Sequence, residues 1–120
     1  MLTLPPSVKI HLAVGHTDMR KSIDGLMAIV RSHWQEDPFS GHLYVFLSRD
    51  RSRAKVLFWD RGGFVVYYKR LERGRFRMPP VDGTEQKVRQ DATDLAMLLQ
   101  GIDTGRVRRP RPWEPRRSAA

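Results

Sequence analysis

At 120 residues, with 40% apolar side chains and a net charge of +9, the chain is long enough for one domain whose core needs no covalent staple. The absence of cysteine excludes disulfides, thiolate zinc sites and a cysteine nucleophile. No apolar run approaches the ~20 residues of a membrane span, and the start, Met1-Leu2-Thr3-Leu4-Pro5-Pro6, lacks the cationic and apolar regions of a signal peptide, so the expectation is a cytoplasmic protein without a membrane partner.

Val8, Ile10, Leu12 and Val14 alternate with Lys9, His11 and Ala13, the period of a strand with one buried face. A turn at Gly15-His16-Thr17-Asp18 follows. Met19, Ile23, Leu26, Met27, Val30 and Trp34 then form one apolar helical stripe, capped by Asp18 or, if the helix starts late to spare Gly25, by Ser22. Asp37-Pro38 ends it.

Three apolar runs come next, Leu43 to Leu47, Val56 to Trp59 and Phe64 to Tyr68. Gly41, the polar 48–53 loop and Asp60-Arg61-Gly62-Gly63 bound them, which predicts an antiparallel meander. Phe64, Val66 and Tyr68 point to one face, and Val65 and Tyr67 to the other. One face suits the helix, and the second calls for cover by a bound partner or a second copy in a homodimer. After Pro79-Pro80, residues 81–90 have little to bury and read as a mobile linker. Leu95, Leu98, Leu99 and Ile102 make a short second helix with Asp91 as cap and Gly101 as stop. The expected fold is α+β, in the order β-α-β-β-β-α, with both helices on one face of a meander sheet. A compact unit spans 1–104, and a disordered arginine- and proline-rich tail spans 105–120.

The positive charge is polarised along the chain. Residues 49–77 hold ten cations against three carboxylates, and the tail from Arg106 holds six arginines against Glu114. Guanidinium groups held in register on a sheet match phosphates on a duplex better than a floppy cationic run does. Lys69, Arg70, Arg73, Arg75 and Arg77 are therefore the predicted phosphate contacts. Arg49, Arg51 and Arg53 extend the surface, and the tail adds nonspecific affinity. An acidic protein face is the competing ligand. Arginines that merely keep sheet edges from aggregating would also explain the middle block.

Catalytic chemistry finds no matching constellation. Asp18, Asp24, Asp60 and Glu72 each have a structural explanation in a cap, a helix face, a turn or a neighbouring arginine, so they do not read as a two-metal set. His11, His16, His33 and His42 lack short metal-ligand spacing. Arg61-Gly62-Gly63-Phe64 is a hairpin turn rather than a nucleotide loop, and no serine sits in a hydrolase elbow. The reading is a non-enzyme without metal, cofactor or small-molecule substrate. Trp59 and Phe64 read as core, while Tyr67, Tyr68, Phe76 and Trp113 are open between packing and base stacking.

The blocks Gly15-His16-Thr17-Asp18-Met19-Arg20-Lys21-Ser22-Ile23-Asp24-Gly25-Leu26, Asp37-Pro38-Phe39-Ser40-Gly41-His42-Leu43-Tyr44-Val45-Phe46, Lys55-Val56-Leu57-Phe58-Trp59-Asp60 and Tyr68-Lys69-Arg70-Leu71-Glu72-Arg73-Gly74-Arg75-Phe76 resemble the TnpB, or second open reading frame, family of insertion-sequence-sixty-six elements. With Leu95-Ala96-Met97-Leu98-Leu99-Gln100-Gly101-Ile102-Asp103, the resemblance runs in order from about Pro5 to Asp103. Family members often carry tryptophan where this chain has Met78, so that position is given no role. The resemblance implies a bacterial mobile-element protein encoded beside a separate DDE transposase and needed for efficient transposition. DNA and the transposase are then the expected partners, with association with the nucleoid when DNA is bound. A module that binds only the transposase is the alternative.

Overall fold

A computed structural model describes residues 7–81 and 83–100. In chain order these form β1 (Ile10–Ala13), α1 (Ile23–Ala28), β2 (Leu43–Leu47), β3 (Arg53–Asp60), β4 (Gly63–Arg70), β5 (Lys87–Gln90) and α2 (Ala92–Leu99). The fold is α+β, built on one mixed sheet of order β4-β3-β2-β1-β5. β2, β3 and β4 make the expected antiparallel meander. β1 runs parallel to β2, because the chain crosses back through α1 before re-entering the sheet. Between β3 and β4, Arg61 and Gly62 both take positive φ (42° and 86°) and Asp60 pairs with Gly63, the backbone of a two-residue hairpin turn.

α1 starts late, behind Ser22, rather than at Asp18, and the Ser22 side chain makes no capping bond. Gly25 matters here for space: a Cβ at that position would lie 3.0 Å from the Cβ of Lys21. Past Ala28 the helix widens into a π-helical turn at Ile29–His33, with Trp34 N–H donating to the Ile29 carbonyl at 3.1 Å. The Trp34 ring then stacks on Phe46 at 5.3 Å.

Two expectations are corrected. The helices cover opposite faces of the sheet, not one. α1 packs through Leu26, with Val30 from the π turn, on Ala13, Tyr44, Phe46 and Leu57. α2 packs through Leu95 and Leu98 on Ile10, Leu12, Leu43, Val45 and Val56. All five residues of β2 are buried, so its alternate side chains need apolar partners on both sides. The chain supplies both. The second correction concerns 81–90: residues 87–90 are a strand, not linker, pairing antiparallel along β1 from Ile10–Gln90 to Ala13–Lys87. Backbone pairing with β1 drives this strand, since Val88 is its only apolar side chain and Lys87 is held by an ion pair to Glu36. Asp91 caps α2 as expected, within a capping box completed by Asp94. Gly101, Ile102, Trp113 and the 105–120 tail lie outside the described residues.

Candidate nucleic-acid interface

The strand directions bring the cationic segments to one end of the sheet. β2 and β4 finish there and β3 begins there, so the 48–52 turn and the 71–77 segment are neighbours. Two backbone bonds of 2.7 Å join them: Leu71 N–H donates to Ser52 O, and Phe76 N–H donates to Arg51 O. Phe76 is fully buried in the core shared with α2, and Leu71 and Met78 pack against the same cluster. The residues between these anchors, Glu72 to Arg75, are exposed, as is Arg77 just beyond Phe76. Phe76 is thus core rather than a base-stacking ring.

The 48–52 turn is braced by one carboxylate. Asp50 Oδ1 accepts from Ser48 Oγ (2.9 Å), Ser52 N–H (3.0 Å) and Ser52 Oγ (2.8 Å). The bonds from Ser52, then Ser48, hold its carboxyl at about 2, below the usual range. Arg51 takes a positive φ of 61°, a conformation uncommon for a residue with a Cβ. The turn presents Arg49, Arg51 and Arg53 as exposed side chains.

Alternation splits the two cations at the end of β4. Arg70 pairs directly with Arg53 of β3 and lies on the α1 face. Lys69 is half-buried and lies on the α2 face, lining an apolar groove with Tyr67, Phe58 and Leu99. Like charges directly opposite on a sheet repel. Glu72 Oε1 partly offsets this, accepting from Arg70 Nη2 at 2.9 Å, but both side chains are solvent-exposed and the pair is worth little. Among the described residues, no carboxylate lies within ion-pair distance of Arg49, Arg51, Arg53, Arg73 or Arg75.

Sequence reasoning missed the contribution of the loop before α1. Thr17 N–H donates to Leu47 O at 2.8 Å, and Lys55 Nζ donates to the carbonyls of Met19 and Lys21, both at 2.8 Å. These bonds hold Arg20 and Lys21, both exposed, over the same end of the sheet. Lys55, which also lies 5.5 Å from the Tyr68 ring centroid, is a structural brace. Arg20 Nε donates to Asp18 Oδ1 at 3.1 Å and its Nη2 to Oδ2 at 2.8 Å, and those bonds lower the Asp18 carboxyl well below the ordinary range. The only sequence signal for this loop was the adjacent pair Arg20-Lys21, and nothing local assigns it to the rim.

Three carboxylates near the rim are engaged locally. Asp18 binds Arg20, Asp50 braces the turn and Glu72 meets Arg70. Asp60 is at the opposite end, in the β3–β4 turn. Among the described residues, no three His, Cys, Asp or Glu side chains come together as a metal site, and no helix is long and apolar enough to cross a membrane. Trp59 and Phe64 are half-buried and meet the exposed Phe39, with ring centroids 5.0 Å apart. Tyr67 and Tyr68 are exposed, one on each face.

The family model described as IS66 Orf2 like protein matches residues 8–109. The chain is 33% identical over 103 residues to the uncharacterized protein y4jC of Sinorhizobium fredii, covering 85% of this chain and 86% of that one. It is 37% identical over 103 residues to the uncharacterized protein y4hO of the same organism, covering 86% and 88%. No solved structure matches. With the match spanning the whole sheet, both helices and the cationic rim, the chain belongs to the IS66 Orf2-like family of transposition-associated accessory proteins.

Proposed function

We propose that this chain is a non-catalytic accessory protein of DNA transposition that holds the DNA backbone through the rim of Arg49, Arg51, Arg53, Arg70, Arg73, Arg75 and Arg77, with Lys69 on its flank, and helps assemble the transposase on the element ends. The observation that carries this reading is the pinning of the 71–77 segment to the 48–52 turn by Phe76 and two backbone bonds. Ordering a flexible cationic run on binding costs entropy, and this rim is already ordered. A phosphate between Arg53 and Arg70 would also relieve the repulsion built into that cross-strand pair. Guanidinium-to-phosphate contact carries no base readout, so affinity for element ends and random duplex differs little without the transposase.

A salt-titrated mobility assay tests the proposal. If about five phosphates are neutralised, log K falls with log salt at a slope of roughly −4 to −5. Alanine at Arg70, Arg73 and Arg75 flattens it, and an unchanged slope would remove the rim from the DNA contact. The exposed Tyr67 and Tyr68 favour a second reading, a module that binds the transposase alone. Transposase retained through nuclease treatment, with no DNA shift by this chain, would select it. No magnesium-dependent cleavage is expected under either reading.

A further inference from the structure

The two edges of the sheet differ. β5 is four residues long and carries the exposed Arg89, while its Lys87 is held by Glu36 at 3.0 Å, a length and charge that discourage pairing with another strand. β4 has eight residues and no proline, and among the described residues nothing pairs with its outer side. In a hairpin closed by a two-residue turn, the Asp60–Gly63 pair exchanges hydrogen bonds, so Gly63, Val65, Tyr67 and Lys69 bond inward to β3. The N–H and C=O groups of Phe64, Val66, Tyr68 and Arg70 therefore point outward. The same strand supplies three of the four large exposed hydrophobic residues described: Val65 (39%), Tyr67 (44%) and Tyr68 (50%).

We propose that β4 pairs antiparallel with β4 of a second copy about a two-fold axis at Val66, joining two sheets into one of ten strands. On this register the outward groups of Phe64 meet those of the partner's Tyr68, and those of Val66 meet the partner's Val66. Val65 falls opposite the partner's Tyr67 on the α2 face, a β-branched and aromatic pair of the kind worth roughly 0.2–1 kcal/mol. Charge favours antiparallel over parallel pairing, and the Val65–Tyr67 match sets the register. Lys69 lies opposite the partner's Gly63, and no cation opposes a cation. Parallel pairing in register would instead stack Lys69 on Lys69 and Arg70 on Arg70. An isologous interface requires a patch complementary to itself, and β4 meets that requirement in hydrogen bonding, side-chain size and charge. The apolar groove beside Tyr67, Phe58 and Leu99 opens next to this edge, where the partner's Val65 extends its wall.

The pairing stands whether or not phosphate is the ligand. Where the rim does bind DNA, the two Arg70 positions lie eight strand residues apart, ~27 Å along the joined strands, so one dimer touches two separate stretches of backbone.

Light scattering over protein concentrations from about 1 to about 100 µM, spanning micromolar affinity, tests the proposal without DNA. The expected mass is twice 14.0 kDa. Val65→Lys with Tyr67→Lys sets lysine against lysine twice across the axis and should reduce the mass to that of one chain. Val65→Lys with Tyr67→Glu sets opposite charges at the same positions and should keep the dimer. Both positions are exposed, and circular dichroism checks that each variant is folded. A wild type monomeric throughout, a lysine–lysine variant that stays dimeric, or a lysine–glutamate variant as monomeric as the lysine–lysine one would each overturn the proposal. So would a monomer that captures an extended transposase segment along β4.

Discussion

Phe76 donates its backbone N–H to the carbonyl of Arg51 across 2.7 Å, so the most buried ring of the cationic segment and the most backbone-constrained arginine of the neighbouring turn are held as one unit. Core packing thereby controls where surface charge sits. Arg73, Arg75 and Arg77 stay near Arg49, Arg51 and Arg53 because Phe76 is in the core.

Replacing Phe76 with alanine should cost about 3–5 kcal/mol by the lost transfer energy and the cavity left behind. Urea denaturation measures it. The same substitution should flatten the salt dependence of DNA binding although it removes no charge, because the segment loses its anchor. A loss below about 1 kcal/mol would mean that the site collapses around the smaller side chain or that Phe76 is not seated there.

Arg51 separates charge from stability. Its φ of 61° suits glycine, so Arg51→Gly should leave the unfolding midpoint unchanged or raise stability by up to about 1 kcal/mol. Arg51→Val should destabilise the fold, since a β-branched residue resists that backbone region. Both variants lose one cation and should reduce the salt slope by about 1. A salt slope equal to wild type in both would take Arg51 out of the contact.

His11 makes the fold acid-sensitive. Its ring is buried and stacked on Tyr44 at 5.5 Å, with Nε2 lacking a hydrogen-bond partner among the described residues. Burial, reinforced by Lys87, Arg89 and His42 and opposed by Glu36, lowers its pKa from 6.5 to about 4. The folded value lies below the unfolded one, so the unfolded chain binds the extra proton first. The contribution is therefore complete above about 6.5 and is lost as pH falls toward 4. The ring borders an open cleft lined by Lys9, Glu36, His42, Glu85, Lys87 and Arg89, so solvent screening reduces the effect to about 1–2 kcal/mol. Denaturation of wild type and His11→Phe at pH 7 and pH 5 checks this. The substitution should weaken the pH dependence in that window, and parallel losses in both proteins would assign it to other groups.

Asp91 accepts from the backbone N–H of Asp94 at 2.7 Å to begin α2. Asp91→Ala should destabilise the protein by roughly 0.5–2 kcal/mol, with Asp91→Asn closer to wild type. Equal losses in the two would show that charge at the helix start matters more than the hydrogen bond.

Local grammar was legible in the sequence wherever neighbouring residues decide the outcome. Leu43 to Leu47 are an unbroken apolar run closed by turn residues on either side, and they form a strand with the expected bounds. Asp60-Arg61-Gly62-Gly63 holds the residues a tight hairpin tolerates, and Asp91 stands where a helix start needs an acceptor. The polarised charge and the family blocks were likewise plain in the sequence. Tertiary structure alone decided how these parts meet. β5 forms because β1 offers unpaired backbone groups, a partner more than seventy residues away that no local pattern in 87–90 reveals. The helices divide between the faces because β2 is apolar on both sides. The cations become one rim for the same kind of reason: Phe76 is drawn into a core assembled from distant strands, and the arginines beside it are carried to Arg51.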